Sequence, residues 1–296
     1  MDYKLLLDNT TKELNDLIEV RRTATNRDER SVQKFFEDYP FSLLAALPNI
    51  SSQFQIFGSM IISQPRFRSF DGDRSPDFLV VTYDSLNLYF NFIEIEDPSK
   101  KIFAANSQAL STDFSQAYNQ LFQWSSYGKG EVEDYCKELL ATLFHHNFNN
   151  TPEKVLHYNF VLLYGFSDEV IDYGVRHNQI LQQYFTDPNL HHCTFSRLIR
   201  NIRIEYPLYT VKKDASINKF KAIGFVPYKN YTPFEWSELH NVAGKLDLVQ
   251  NCPYFTGEEK ARVISKIETL DNKTYKEILD LTMKDMGTSV FDDLEF

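Results

Sequence analysis

The chain has 296 residues and a formal net charge of −10, with 43% hydrophobic, 24% charged and 15% aromatic residues. That balance excludes a disordered, collagenous or wholly membrane-embedded chain. The acidic excess excludes a global electrostatic pull toward nucleic acid, so a DNA or RNA partner needs a local basic surface. Only 10 glycines are present, which argues against a glycine-lined nucleotide site. Cys136, Cys193 and Cys252 are widely spaced and form no CxxC, so neither a disulfide framework nor a cysteine zinc site is implied. The opening MDYKLLLDNTTKELNDL lacks a signal-peptide pattern, and no stretch approaches about 18 consecutive apolar residues. The reading is a soluble, reduced, cytoplasmic protein.

In chain order, residues 3–20 carry Leu5, Leu6, Leu7, Leu14, Leu17, Ile18 and Val20 among charges and predict one helix. A second helix runs from Asp28 to Pro40, with Val32, Phe35 and Phe36 on one face, and residues 43–47 predict a short helical turn ending at Pro48. The period then changes. Residues 53–57 and 60–62 look like strand, and the polar, arginine-bearing stretch PRFRSFDGDRSP follows. Residues 78–83 and 88–96 predict two strands joined by the turn Asp84-Ser85-Leu86-Asn87. Helices are expected over 113–126 and 131–145, a strand over 155–164 and a helix over 169–185. This order, α-α-β-β-β-α-α-β-α, predicts an α/β fold with a central mixed sheet flanked by helices. The last third is less regular, with strand-like pieces at 202–211 and 222–228 and helical patterns at 258–270 and 273–286.

The strongest chemical constellation is Pro76-Asp77 opening one strand and Glu94-Ile95-Glu96 closing the next. Alternation places Glu94 and Glu96 on one face, in line with Phe90 and Phe92, and the hairpin brings Asp77 to the same end. Carboxylates converging there form an oxygen-ligand site suited to Mg2+ or Mn2+, and grouping them without a cation is costly. The plainer alternative is a pair of solvent-facing acids on an edge strand.

Pro76-Asp77 followed by Glu94-x-Glu96 resembles the PD-(D/E)XK nuclease motif. The wider text is more specific. Residues 29–40 (ERSVQKFFEDYP), then SPDFLVV, FIEIEDPSKKIF, QAYNQLFQW, FVLLYG and TFSRLI resemble the Shedu anti-phage defence nuclease domain, in order, from about residue 29 to residue 200. The resemblance implies a restriction-endonuclease-like core; the chain is read as an N-terminal helical lead at 1–28, a nuclease-like domain at 29–210 and a C-terminal extension at 211–296 whose pattern matches nothing in the resemblance. The resemblance implies Asp77 and Glu94 as metal ligands, Glu29 as an additional acid that ligates directly or through water, and glutamine on the helix after the strand as an ordering residue. Gln116 and Gln120 are four apart and share one face of that helix. Otherwise these glutamines, with Gln123, are the wet side of an amphipathic helix.

One position departs from the pattern. Glu96 stands where the motif places a lysine, and a glutamate supplies no positive charge, although it can accept a proton or ligate a second ion. Lys100 and Lys101 are candidates to swing in. Arg66, Arg68 and Arg74 lie just ahead of Asp77, and residues 197–229 carry eight basic residues against Glu205 and Asp214. Such clusters are the footprint of phosphate contacts, or else a solvated face. His145-His146 and His191-His192 lack a second ligand pair at a useful spacing. GxxxxGK[ST], GxSxG and HExxH are absent. The expectation is a Mg2+- or Mn2+-dependent DNA endonuclease, with catalytic Glu29, Asp77, Glu94, Glu96, Gln116 and Gln120 and DNA contacts from Arg66, Arg68, Arg74, Lys100 and Lys101, assembled as a homo-oligomer. The alternatives are a catalytically impaired module of the same fold that binds nucleic acid or assembles oligomers, and an α/β interaction protein unrelated to nucleic acid.

Overall fold

Along residues 87–95 the even-numbered Leu88, Phe90 and Phe92 enter one apolar cluster, while Ile93 and Ile95 enter another. A strand buried on both faces belongs in the middle of a sheet covered by helices on each side. The computed structural model has this arrangement. It describes residues 3–26, 28–48, 55–69, 72–83, 86–105, 107, 109–126, 129–143, 155–171, 175–203, 208–215, 219–226, 242–253, 255–270 and 277.

The strands are β1 (Gln55–Ser63), β2 (Phe67–Ser69), β3 (Gly72–Arg74), β4 (Phe78–Tyr83), β5 (Asn87–Ile95), β6 (Val155–Leu163), β7 (Leu190–Cys193), β8 (Leu208–Asp214), β9 (Lys219–Val226) and β10 (Val242–Ala243). Eight of them form one sheet in the order β10-β9-β8-β1-β4-β5-β6-β7, and β2 and β3 form a separate hairpin. The sheet is mixed: β1–β4, β4–β5 and β8–β9 are antiparallel, whereas β1–β8, β5–β6, β6–β7 and β9–β10 are parallel. The fold class expected from the sequence is therefore the observed one. The stretch 65–76 contains the short β2–β3 hairpin, and β7 adds a strand that the sequence pattern does not announce.

One face is covered by α1 (Tyr3–Thr23), α2 (Glu29–Asp38), a 3-10 helix (Pro40–Ala46) and α7 (Phe195–Asn201), through Leu14, Ile18, Val32, Phe36, Phe41 and Leu198. The other is covered by α3 (Thr112–Ser126), α4 (Lys129–Leu143), α6 (Val175–Tyr184), α8 (Lys245–Asn251) and α9 (Gly257–Leu270). Between α4 and α6, the short α5 (Ser167–Ile171) follows β6. The high aromatic content is used across β5–β6, where Phe90 stacks on Tyr158 at 5.5 Å and Phe92 on Phe160 at 5.3 Å. Such pairs add about 0.5–1.5 kcal/mol beyond their buried area.

Close approach at Gly224 seats α2. A Cβ there would fall 2.0 Å from the Glu37 carbonyl oxygen, so no other residue lets the end of α2 rest on β9. The Thr210 hydroxyl donates to that same carbonyl at 2.7 Å, which fixes the helix that carries Glu29. The boundary expected at residue 210 falls inside β8, and β9 and β10 continue the same sheet. Of the helix expected at 273–286, only residue 277 lies among the described residues. Cys136, Cys193 and Cys252 are free, buried thiols. Among the described residues no helix is long and apolar enough to cross a membrane.

Candidate active site

The β4–β5 register pairs Phe78 with Ile93, so Asp77, one residue ahead of β4, lies beside Glu94. Asp77 is fixed on both its backbone and its side chain. Its carbonyl accepts from the Gln64 N–H at 2.8 Å, and its carboxylate accepts from the Ile95 N–H at 2.7 Å. Gln64, the residue after β1, has φ 49, a left-handed conformation that costs a non-glycine residue about 1–2 kcal/mol. Strain of this kind gathers where backbone geometry is constrained by a site.

Glu94 projects toward α3. One carboxylate oxygen accepts from Gln120 Nε2 at 2.8 Å; the other, Oε2, is buried and has no hydrogen-bond partner among the described residues. A buried carboxylate with one unsatisfied oxygen is an expensive arrangement unless a cation or proton accompanies it. Burial, with the charges of Asp77, Glu96 and Glu29 added and the Gln120 hydrogen bond opposing, holds Glu94 well above the usual carboxylate range. Asp77 is pushed up to about 7, by burial first and then by Glu29 and Glu96, against the Ile95 hydrogen bond.

Glu96 lies immediately past β5, its N–H still bonded to the Leu163 carbonyl at 3.1 Å. A tight turn follows, with the Lys100 N–H donating to the Asp97 carbonyl at 2.9 Å, and it folds the Lys100 side chain back over the acids. The Lys100 ammonium pairs closely with Glu96 and, at 3.0 Å, with Glu29 at the start of α2. Burial works against the Lys100 charge, yet the two glutamates hold its pKa above the usual lysine value. Burial raises Glu96, with Glu29 adding to the effect and Lys100 opposing it. The position that the motif gives to lysine is thus a glutamate carrying a lysine from four residues further on.

Asp97 organises this turn, and sequence reasoning missed it. It is fully buried, and its carboxylate accepts from the Ser99 N–H at 2.8 Å, the Asp28 N–H at 2.9 Å and Arg21 at 2.8 Å. Burial would raise its pKa, but the hydrogen bonds from Ser99, Arg21 and Asp28 overcome that and hold it at about 2. One carboxylate thereby ties α1, the residue that caps the start of α2 and the loop bearing Lys100. The Asp97-Pro98-Ser99 run is an Asx-turn signature that could have exposed it. Gln64 carries no comparable signal.

The remaining expected residues divide. Gln120 reaches Glu94, whereas Gln116, one turn earlier, is exposed. Glu29 is half-exposed and turned to Lys100. Lys101 is exposed, 3.9 Å from Glu169 and 5.8 Å from the Phe166 ring centroid. Arg66 is exposed; Arg68 and Arg74 lie on β2 and β3. His192 is half-buried and packs against Phe114 and Phe185, His191 points to the opposite face, and His145-His146 lie outside the described residues.

The donors around Asp77 and Glu94 are all oxygen, and the unpartnered Glu94 Oε2 gives a hard cation a ready ligand. Among the described residues no three His, Cys, Asp or Glu side chains are gathered as a cage. Mg2+ does not need one, because it is held through one or two carboxylates and keeps several waters. The donor set fits such an ion at Asp77 and Glu94. No curated protein matches the chain. Residues 26–199, more than half of the chain and including all of these acids, Lys100 and Gln120, match the family model for the C-terminal region of the Shedu protein SduA, so this chain belongs to the Shedu family.

Proposed function

We propose that this Shedu-family chain acts in anti-phage defence as a metal-dependent DNA endonuclease of the PD-(D/E)XK type, hydrolysing phosphodiester bonds. The observation that carries the reading is the Glu94 carboxylate, buried beside Asp77 with one oxygen fixed by Gln120 and the other without a partner among the described residues. Asp77 and Glu94 would hold Mg2+ or Mn2+, which when bound lowers the pKa of water and offsets charge growing on a phosphodiester oxygen.

The chain's own groups have separable tasks. Gln120 and the Ile95 N–H each fix one oxygen of Glu94 and Asp77 and leave the second for the ion. Glu96, its carboxyl raised above the usual value by burial, accepts a proton from the attacking water. Lys100 supplies the positive charge that the motif's lysine would supply, and limits the repulsion between four acids and an anionic substrate. Water adds to phosphorus, the P–O bond to the leaving oxygen breaks, and that oxygen takes up a proton. Because Lys100 compensates for Glu96, the substitution in the motif does not by itself imply a dead site.

The test is incubation of the purified protein with linear and circular duplex DNA, with Mg2+, Mn2+ or chelator, against Asp77→Ala. Strand breaks that need the ion and disappear in the variant support the reading. Cutting that persists in chelator, or in Asp77→Ala, removes it.

A further inference from the structure

The sheet register joins the acidic cluster to a part of the chain beyond the family match. Ser63 pairs with Phe78 on β4 and with Lys212 on β8, and Phe78 pairs with Ile93 on β5. One residue further along each strand lie Lys213, Gln64, Asp77 and Glu94, a single row across β8, β1, β4 and β5. The flanking residues confirm which face the strand residues of this row share. Val211, Leu79 and Phe92 all enter the cluster beneath α3 and α4, and Lys213, Asp77 and Glu94 each stand two residues away on the same side. Strands are spaced about 4.8 Å apart, so Lys213 sits about 10 Å from Asp77 and about 14 Å from Glu94 along the row.

Four lysines lie at this end of β8 and β9: Lys212, Lys213, Lys219 and Lys221. Lys212 is committed on the opposite face, 3.2 Å from the buried Glu37, and the register places Lys221 opposite it and Lys219 on that same face. Lys213 is therefore the lysine of this group that shares the carboxylates' face. It is exposed, and no acid among the described residues forms an ion pair with it.

We infer that Lys213 binds a backbone phosphate of the DNA strand that is cut at Asp77 and Glu94, so that the strand crosses the end of the sheet at right angles to β1, β4 and β8. This rests on the nuclease reading above. The span of about 10–14 Å along the row covers only the first few phosphates of one strand, so Lys213 meets a phosphate close to the scissile one. A cluster of Glu29, Asp77, Glu94 and Glu96 repels a polyanion, and a cation in the same row lowers that barrier without entering the site. The C-terminal part of the chain then supplies substrate grip to a centre built within residues 26–199.

The experiment compares wild type, Lys213→Gln and Lys12→Gln, an exposed α1 lysine, in duplex binding across a salt series without added metal, and in cleavage with Mg2+. Lys213→Gln is expected to weaken binding several-fold at low salt, to reduce the slope of log affinity against log salt by about 0.9, and to raise KM with kcat nearly unchanged. Lys12→Gln is expected to leave all three unchanged. A substrate that ends at the cut on the Lys213 side should erase the difference between Lys213→Gln and wild type. If wild type binds and cuts while Lys213→Gln keeps its slope and KM, or if Lys12→Gln loses as much, the assignment is wrong and the nuclease reading stands. If wild type neither binds nor cuts DNA, the nuclease reading fails and takes the assignment with it.

Discussion

Replacing Asp97 with asparagine removes the charge at the junction of α1, α2 and the Lys100 loop while keeping the side chain's shape. In the folded protein Arg21 and Asp97 are both out of solvent, with side-chain exposures of 8% and 0%. Removing one partner of such a pair typically costs about 3–5 kcal/mol, because the other charge stays buried. Arg21 retains the Asn26 carbonyl at 2.6 Å, and asparagine still offers one acceptor to Asp28 or Ser99, so the expected cost lies at the lower end, about 3 kcal/mol. The pH dependence has a definite sign. Asp97 is held at about 2 against an ordinary 3.8, so its contribution is complete above about 4 and is lost as pH falls toward 2. Urea unfolding of wild type and Asp97→Asn at pH 7 and at pH 3 measures both quantities. The variant should also cleave more slowly, since Glu29 and Lys100 lose their common anchor. A stability difference below about 1 kcal/mol at pH 7, or one that widens at pH 3, would refute this account of the junction.

Gln120→Ala frees Glu94 to rotate and should lower metal-dependent cleavage about 10- to 100-fold with little change in stability, as seen in single-turnover assays and thermal melts. Glu96→Lys puts a second ammonium against Lys100 and removes the proton acceptor, so single-turnover cleavage should fall on the order of tenfold or more at equal metal; a faster variant would show that Glu96 marks decay. Asp77 keeps its proton up to about 7 when folded and only to about 3.8 when unfolded, so its contribution to stability declines as pH rises between these values. Metal-free Asp77→Asn should accordingly be the more stable protein at pH 8 in urea unfolding, with the difference shrinking toward pH 4.

Periodicity carried much of this structure. Residues 3–23, 29–38 and 112–126 repeat their apolar positions every three to four residues, and 78–83 and 87–95 form a hairpin whose register alone places Asp77 beside Glu94. The short pieces were illegible. β7 has four residues, two of them histidine, and β2 and β3 have three each, too few to show a period. Gln116 and Gln120 could not be told apart by spacing, because only the packing of α3 on the sheet decides which turn reaches Glu94. The Arg21–Asp97 pair spans 76 residues of sequence, and neither neighbourhood encodes the other. Lys100 was a visible candidate, but its placement between Glu29 and Glu96 depends on a turn held by that same distant pair.

The unpaired oxygen of Glu94 is where the account is most exposed. Glu94→Gln keeps the side chain's size and its position against Gln120 while removing the charge that a divalent ion would use. Titration of Mn2+ into the metal-free protein near pH 8, followed by the loss of the free-ion paramagnetic resonance signal, reads the site without requiring any cleavage. Wild type should take up Mn2+, and Glu94→Gln should bind it at least about tenfold more weakly. Equal uptake by the two proteins would contradict a metal centre at Asp77 and Glu94.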